Sequence, residues 1–245
     1  MTHAAPPFSA AAGRFGLAPG YRENPARAGD DPDYWTEPRI AASHSYQEPV
    51  YRWCRALLLR RGARSFLDVG CGTAAKVAGW IAPHCHDLTL IDRESSRALA
   101  ARFVPSARFI GADLDALGTH LGRRFDLIVC ADVLEHLRDP EICLRFLREH
   151  LAPDGRAVLS TPERDNLRGR GCLVSPHPDH VREWSAREFR GFVERCGFAV
   201  ETQRLMPPER VSSVEGALAR AFGRVALRRR WASCQALVCR DAGAP

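Results

Sequence analysis

Polar and apolar positions follow no regular period over residues 1–43, where Pro, Gly and Ala mix with charges clustered at ENPARAGDDPD. That stretch is predicted to be a flexible N-terminal arm or lid preceding one domain over 44–245. A helical period begins in SYQEPVYRWCRALLLRRG, where Val50, Trp53, Leu57 and Leu58 share one face. From residue 65, short continuous apolar runs alternate with amphipathic stretches. The runs SFLDV, DLTLI, ARFIG, FDLIVC and RAVLST are predicted strands, and helices are predicted to begin near Thr73, Glu94, Leu114 and Pro140. Strands apolar throughout suit a parallel sheet covered on both faces, and the alternation predicts an α/β fold with a doubly wound sheet.

The alternation breaks over residues 162–184, an expected insertion. It resumes at a well-marked helix start, where Ser185 and Glu188 form a capping box and Trp184 can staple onto Phe189. Phe189, Phe192, Val193 and Cys196 make the apolar face, and Gly197 stops the helix. GFAVETQRL reads as a strand, and WASCQALVC as the last one. Between them lies a second expected insertion over 207–230. It holds another capping box, Ser212 with Glu215, ahead of a helix with Val214, Leu218, Phe222 and Val225 on one side. Arg220, Arg224 and Arg228 lie on another side of that helix.

Composition changes this picture little. Of 245 residues, 45% are hydrophobic and 26% charged, ordinary values for a soluble domain. The net charge of +6 raises the question of an acidic or nucleic-acid partner. The cations are almost all arginine, however, with Lys76 the only lysine, which reads as a compositional habit. The nine cysteines form no CxxC and fall partly inside apolar runs, as small buried hydrophobes do in a reducing compartment. No apolar run is long enough for a membrane span, and the first 20 residues lack the apolar core of a secretory signal, so a cytoplasmic location is expected.

The chemistry begins at FLDVGCGTAA. Gly70 and Gly72 stand between a strand and a helix, where Gly72 admits close approach of a ligand to the backbone and the helix start offers free N–H groups. Asp92 ends the next strand, in place to accept from ribose hydroxyls. These features predict a nucleotide-type ligand and leave NAD and S-adenosylmethionine both open. Asp68 ahead of the glycines, Asp113 after the third strand, FDLIVCADVLEHLRDP and LAPDGRAVLSTP add further landmarks. In these landmarks the chain resembles the class I S-adenosylmethionine-dependent methyltransferases over roughly residues 46–240. The resemblance implies a Rossmann-like sheet of seven strands with the last antiparallel. It also implies S-adenosylmethionine as cofactor, with Asp68, Gly70 and Gly72 in the first motif, Asp92 at the ribose, and Asp113 with Leu114 at the adenine. Tyr46 and Gln47 are placed to touch the methionine end.

In an open α/β sheet the ligand sits beyond the carboxyl ends of the strands. The fourth strand delivers Asp132, Glu135 and His136 there, and the fifth delivers Thr161, Pro162, Glu163 and Arg164. SPHPDHVREWS, residues 175–185, must pass over the same mouth as a roof. Asp132, Glu135 and His136 have i, i+3, i+4 spacing, so with His177 or His180 they form a candidate site for a divalent metal. Without a metal, His136 or His180 serves as a base beside Glu135. Glu183 is expected to pair with Arg182, Arg187 or the helix start.

The string DVLEHL, STPERD, HPDHVREWSAREF resembles the small-RNA 3′-terminal 2′-O-methyltransferases, in which a Glu-x-x-Glu-His motif and a later histidine hold a metal. It also resembles the ubiquinone-biosynthesis type O-methyltransferases. Asp132 stands where the RNA enzymes have glutamate, and Val181-Arg182 where they have a basic residue and an aromatic. The expected activity is O-methylation of a small metabolite, a phenol or sugar hydroxyl. RNA ribose 2′-O-methylation, with nucleic acid as partner, is the alternative enzyme. An inactive cofactor-binding scaffold is the alternative of another class.

Overall fold

The computed structural model describes residues 13–25, 33–118, 120–207 and 232–244. Seven strands form one sheet: β1 (Ser65–Val69), β2 (Asp87–Asp92), β3 (Arg108–Gly111), β4 (Phe125–Ala131), β5 (Leu151–Pro162), β6 (Phe198–Met206) and β7 (Cys234–Asp241). Their order is β3-β2-β1-β4-β5-β7-β6, and β7 runs antiparallel to both its neighbours. The order reverses between β1 and β4, which pair in parallel and open a crevice at their carboxyl ends. The helices are α1 (Glu37–Ala42), α2 (Glu48–Arg61), α3 (Ala75–Trp80), α4 (Arg97–Phe103), α5 (Pro140–Glu149), α6 (Arg164–Leu167) and α7 (Ala186–Arg195).

Two apolar layers cover the sheet. Leu144, Leu147, Phe189 and Phe192 of α5 and α7 pack with Ile128 and Leu159 on one face. Val50, Trp53 and Leu57 of α2 and Val77 of α3 pack with Phe66 and Leu127 on the other. Strands sealed on both faces need the continuous apolar runs the sequence supplies, and every residue of β1 is buried.

Three boundaries differ from expectation. The helix expected near Leu114 is a single 3-10 turn, Leu114–Ala116. Gly118 and Gly122 interrupt the apolar period just beyond it, each costing about 1 kcal/mol in a helix. Asp115 also turns its carboxylate away to accept from the backbone N–H groups of Arg138 and Asp139. The helix expected near Glu94 is a 3-10 turn over Glu94–Ser96 that passes into α4 at Arg97. Strand β5 begins at Leu151, ahead of RAVLST, because Leu151 pairs with Phe125 before the register shifts. Gly155 permits that shift, since a Cβ there would lie 2.8 Å from the Phe125 carbonyl oxygen.

Within the N-terminal stretch, residues 13–25 lie against the core. Phe15 and Leu17 are buried in the α5–α7 layer, with the Phe15 ring edge-on to Phe192 at 5.8 Å. The arginine-bearing helix expected after residue 213 lies outside the described residues. Among the described residues no helix is long and apolar enough to cross a membrane.

Candidate functional site

The glycine turn after β1 is shaped by backbone only glycine adopts easily. Gly70 and Gly72 have φ of 82° and 56°. The Gly72 amide donates to Asp92 Oδ2 at 2.6 Å, and Asp92 Oδ1 accepts from Arg93 N at 2.7 Å. The Ser96 hydroxyl bonds the same carboxylate, which leaves acceptor capacity on one oxygen for a ribose hydroxyl. Asp68 is wholly buried, and burial pushes its carboxyl up to about 7. Its Oδ2 accepts from the Tyr51 hydroxyl at 2.7 Å, while Oδ1 has no partner. A buried acceptor left open at the carboxyl end of β1 fits a ligand that brings a donor, as the amino group of S-adenosylmethionine does. Asp113 caps the turn at Leu114 by accepting from Asp115 N at 3.0 Å, and Leu114 is buried.

The arm contributes a residue that sequence reasoning passed over. Trp35 lies on the glycine turn, so close that a Cβ on Gly72 would be 2.9 Å from its ring. Its indole N–H donates to Ser96 Oγ at 3.0 Å. The signal was present in DYWTE, an aromatic pair inside an otherwise polar arm.

Around the crevice, Gln47 (φ 65°), Asp132 (φ 52°) and, within the glycine turn itself, Ala74 (φ 60°) adopt left-handed backbone. Such strain is held only where surrounding contacts impose it. Asp132 accepts from the Gln47 side-chain amide and the Tyr46 hydroxyl, and Ser160 Oγ lies 3.2 Å from its Oδ1. Burial raises Asp132 to about 6. Tyr46 and Gln47, expected at the methionine end of the cofactor, are thus engaged with Asp132.

Glu135, His136 and His180 come together, with one ligand atom of each lying within 4.8 Å of the others. Asp132, expected in the same set, is outside this group. Glu135 is fully buried. Its Oε2 accepts from Thr161 Oγ1 at 3.0 Å, and its Oε1 has no partner. Burial, reinforced by the Asp132 carboxylate, raises the Glu135 carboxyl well above the usual range. His136 Nδ1 meets the Asp179 carbonyl oxygen at 2.7 Å, and burial together with nearby His180 lowers its pKa to about 4. At neutral pH that imidazole is uncharged. His180 Nδ1 meets Glu183 Oε1 at 2.6 Å, and its ring stacks on His177 at 3.9 Å.

The roof is fastened from beneath by the arm. Asn24 donates through its side-chain amide to the carbonyls of Ser175 and His180, both at 2.9 Å. The Tyr21 hydroxyl accepts from Glu183 N at 2.8 Å, and Trp184 Nε1 donates to the Phe15 carbonyl at 3.0 Å. Glu183 pairs with Arg168, His180 and Ser175, whereas Arg182 turns to Glu23 and the carbonyls of Leu137 and Arg138. Glu163 and Arg164 face away from the cluster. Glu163 caps α6 and accepts from Ala186 N, and Arg164 pairs with Glu188.

Residues 44–203 match the family described as "Methyltransferase domain". A small RNA 2′-O-methyltransferase of Xenopus tropicalis is 37% identical over 101 residues, 38% of this chain and 27% of that protein. A ubiquinone biosynthesis O-methyltransferase of Psychrobacter cryohalolentis is 33% identical over 110 residues, 42% of each chain. The matched regions therefore span well under half the length of these relatives. Among solved structures, an S-adenosylmethionine-dependent methyltransferase of Clostridium acetobutylicum superposes with TM-score 0.59 at 12% identity, covering 83% of this chain and 95% of that one. The complex of the Haloferax volcanii Trm112 activator with a methyltransferase gives TM-score 0.64 at 16% identity, covering 89% and 100%. Identities this low speak for the fold alone. The family match extends over most of the chain, and the protein belongs to the methyltransferase-domain family.

Proposed function

We propose that the protein methylates a hydroxyl oxygen of a small acceptor held between the cofactor and the 175–185 roof, with Glu135, His136 and His180 meeting that oxygen. The observation that carries this reading is the convergence of those three groups within 4.8 Å, each held from behind. His136 and His180 are each engaged through Nδ1, which leaves Nε2 of both for the reactants, and Glu135 Oε1 is open. In the transfer, the acceptor oxygen forms a bond to the methyl carbon while the carbon–sulfur bond of the sulfonium breaks in line. The hydroxyl proton passes to an imidazole, and S-adenosylhomocysteine leaves. Positioning supplies most of the acceleration, and a base within hydrogen-bond reach adds about 100-fold or more.

The same donor set fits a divalent cation: one carboxylate with a buried open oxygen, and two imidazoles oriented by partners behind them. Glu135, His136 and His180 would hold such a metal, and it would supply Lewis acidity toward the acceptor hydroxyl. A second reading, the ribose 2′-hydroxyl of an RNA end, is favoured by this cluster together with the likeness to the Xenopus tropicalis RNA enzyme. The nine free cysteines support a reducing, cytoplasmic setting.

The test is transfer of labelled methyl to a panel of phenols and sugars by the wild type, Glu135→Gln and His180→Ala, with and without a chelator. The expected result is an O-methylated product, lost about 100-fold in both variants while affinity for S-adenosylhomocysteine is kept. Full activity in both variants would remove the cluster from the mechanism.

A further inference from the structure

Lys76 is the only lysine in a chain whose lysines and arginines number 35, and it lies in α3 four residues after Gly72. Its ammonium donates to the Ser43 carbonyl at 3.2 Å and sits 5.2 Å from the Tyr51 ring centroid. Tyr51 in turn bonds Asp68, so the lysine and the first-motif acid share one neighbourhood without bonding each other. Among the described residues the lysine's hydrogen bond is to the Ser43 carbonyl and it forms no ion pair, although the Asp68, Asp132 and Asp92 carboxylates act on it from farther away. The side chain is half-buried, as a group lining a cleft is, and burial lowers its pKa. A half-buried ammonium without a direct ion-pair partner is costly, and so is an enclosed carboxylate oxygen without a donor. Here the two occur together: the cation is Lys76 and the open acceptor is Asp68 Oδ1. One ligand satisfies both, a zwitterion whose α-ammonium meets Asp68 and whose α-carboxylate meets Lys76. The cofactor's methionine end is such a group.

We propose that Lys76 anchors the α-carboxylate of the methionine moiety of S-adenosylmethionine. Lysine suits the place better than the arginine this chain otherwise uses. A compact point charge on a flexible stem fits beside the Tyr51 ring, whereas a guanidinium needs room and acceptors for five N–H groups. The assignment depends on cofactor binding and is independent of which acceptor is methylated.

The experiment measures equilibrium binding of S-adenosylmethionine, its decarboxylated analogue and 5′-methylthioadenosine, which lacks the whole amino-acid end, to the wild type, Lys76→Met and Lys76→Gln. The Gln variant keeps a donor for Ser43 and removes the charge. Wild type is expected to prefer S-adenosylmethionine over the decarboxylated analogue by about tenfold to a hundredfold, the size of one charge-assisted hydrogen bond. Both variants are expected to lose that preference while binding 5′-methylthioadenosine as wild type does. Two results would overturn the proposal. One is a wild type that does not distinguish the two sulfonium ligands, a measurement that needs no variant. The other is a Lys76→Gln protein that keeps the preference, or weakens all three ligands alike, which would make Lys76 a support for the pocket walls. Failure of 5′-methylthioadenosine to bind the wild type would instead undermine the cofactor site itself.

Discussion

At the scale of single residues, Asp68 and Glu135 are each held so that one buried carboxylate oxygen stays open. Gly72→Val is expected to abolish measurable cofactor binding, because a side chain there meets Trp35 and must adopt a φ of 56° that a β-branched residue resists. Titration with S-adenosylhomocysteine checks it, and near-normal affinity would refute the glycine-turn assignment. Glu183 gives a pH prediction. Burial works to raise its carboxyl, but bonds from His180 and Arg168 outweigh that and bring it from 4.5 to about 2. A carboxyl held below its unfolded value stabilises the fold fully above pH 4.5, and that contribution is lost as pH falls toward about 2. Melting temperature should therefore fall over that window, and less steeply in Glu183→Gln. Equal slopes for the two proteins would contradict the roof network. The i, i+3, i+4 spacing of Asp132, Glu135 and His136 places all three on one turn, but only Glu135 and His136 join the cluster, with His180. The partners of Glu183 could not be foreseen, since Arg168 and Ser175 reach it through a loop whose path no periodicity records.

At the scale of elements, local signals were read correctly where they were self-contained. The Ser185–Glu188 capping box is formed, with Ser185 Oγ accepting from Glu188 N and Glu188 accepting from Ser185 N, and Trp184 packs 5.6 Å from Phe189. Ser185→Ala should cost about 1 kcal/mol of stability, measured by denaturant unfolding; no loss would mean the box contributes nothing to α7. The helix expected at Leu114 failed for the opposite reason: an apolar period was present, but glycines and the tertiary bonds of Asp115 decided the conformation. The roof's pairing with the arm was invisible to pattern reading, because Asn24 engages it through side-chain bonds to carbonyls across 151 and 156 residues. Asn24→Ala should leave two roof carbonyls without these donors and weaken acceptor binding more than cofactor binding. Separate KM values for the two substrates would show it, and equal changes would argue against a local effect on the roof.

At the scale of the whole molecule, five apolar runs separated by helices sufficed to predict a doubly wound sheet, and its seven strands with an antiparallel last one followed from the family resemblance. The packing of residues 13–25 could not be foreseen from their composition. Phe15 and Leu17 are isolated apolar residues in a Pro/Gly-rich stretch, yet they complete the layer over α7 and hold the Trp184 indole. Phe15→Ala should destabilise the protein by about 3–5 kcal/mol, as a fully buried aromatic does; a loss under 1 kcal/mol would free the arm from the core. These layers bring the glycine turn and a histidine-carboxylate cluster to the same end of the sheet, the place of the methyl transfer to a hydroxyl that we propose. The most direct test incubates the purified protein and its His180→Ala variant with methyl-labelled S-adenosylmethionine and an extract of the source cells, then counts label in the small-molecule and RNA fractions. The account predicts label on oxygen in the small-molecule fraction with the wild type and its loss with the variant. Label confined to RNA, or undiminished transfer by the variant, would contradict it.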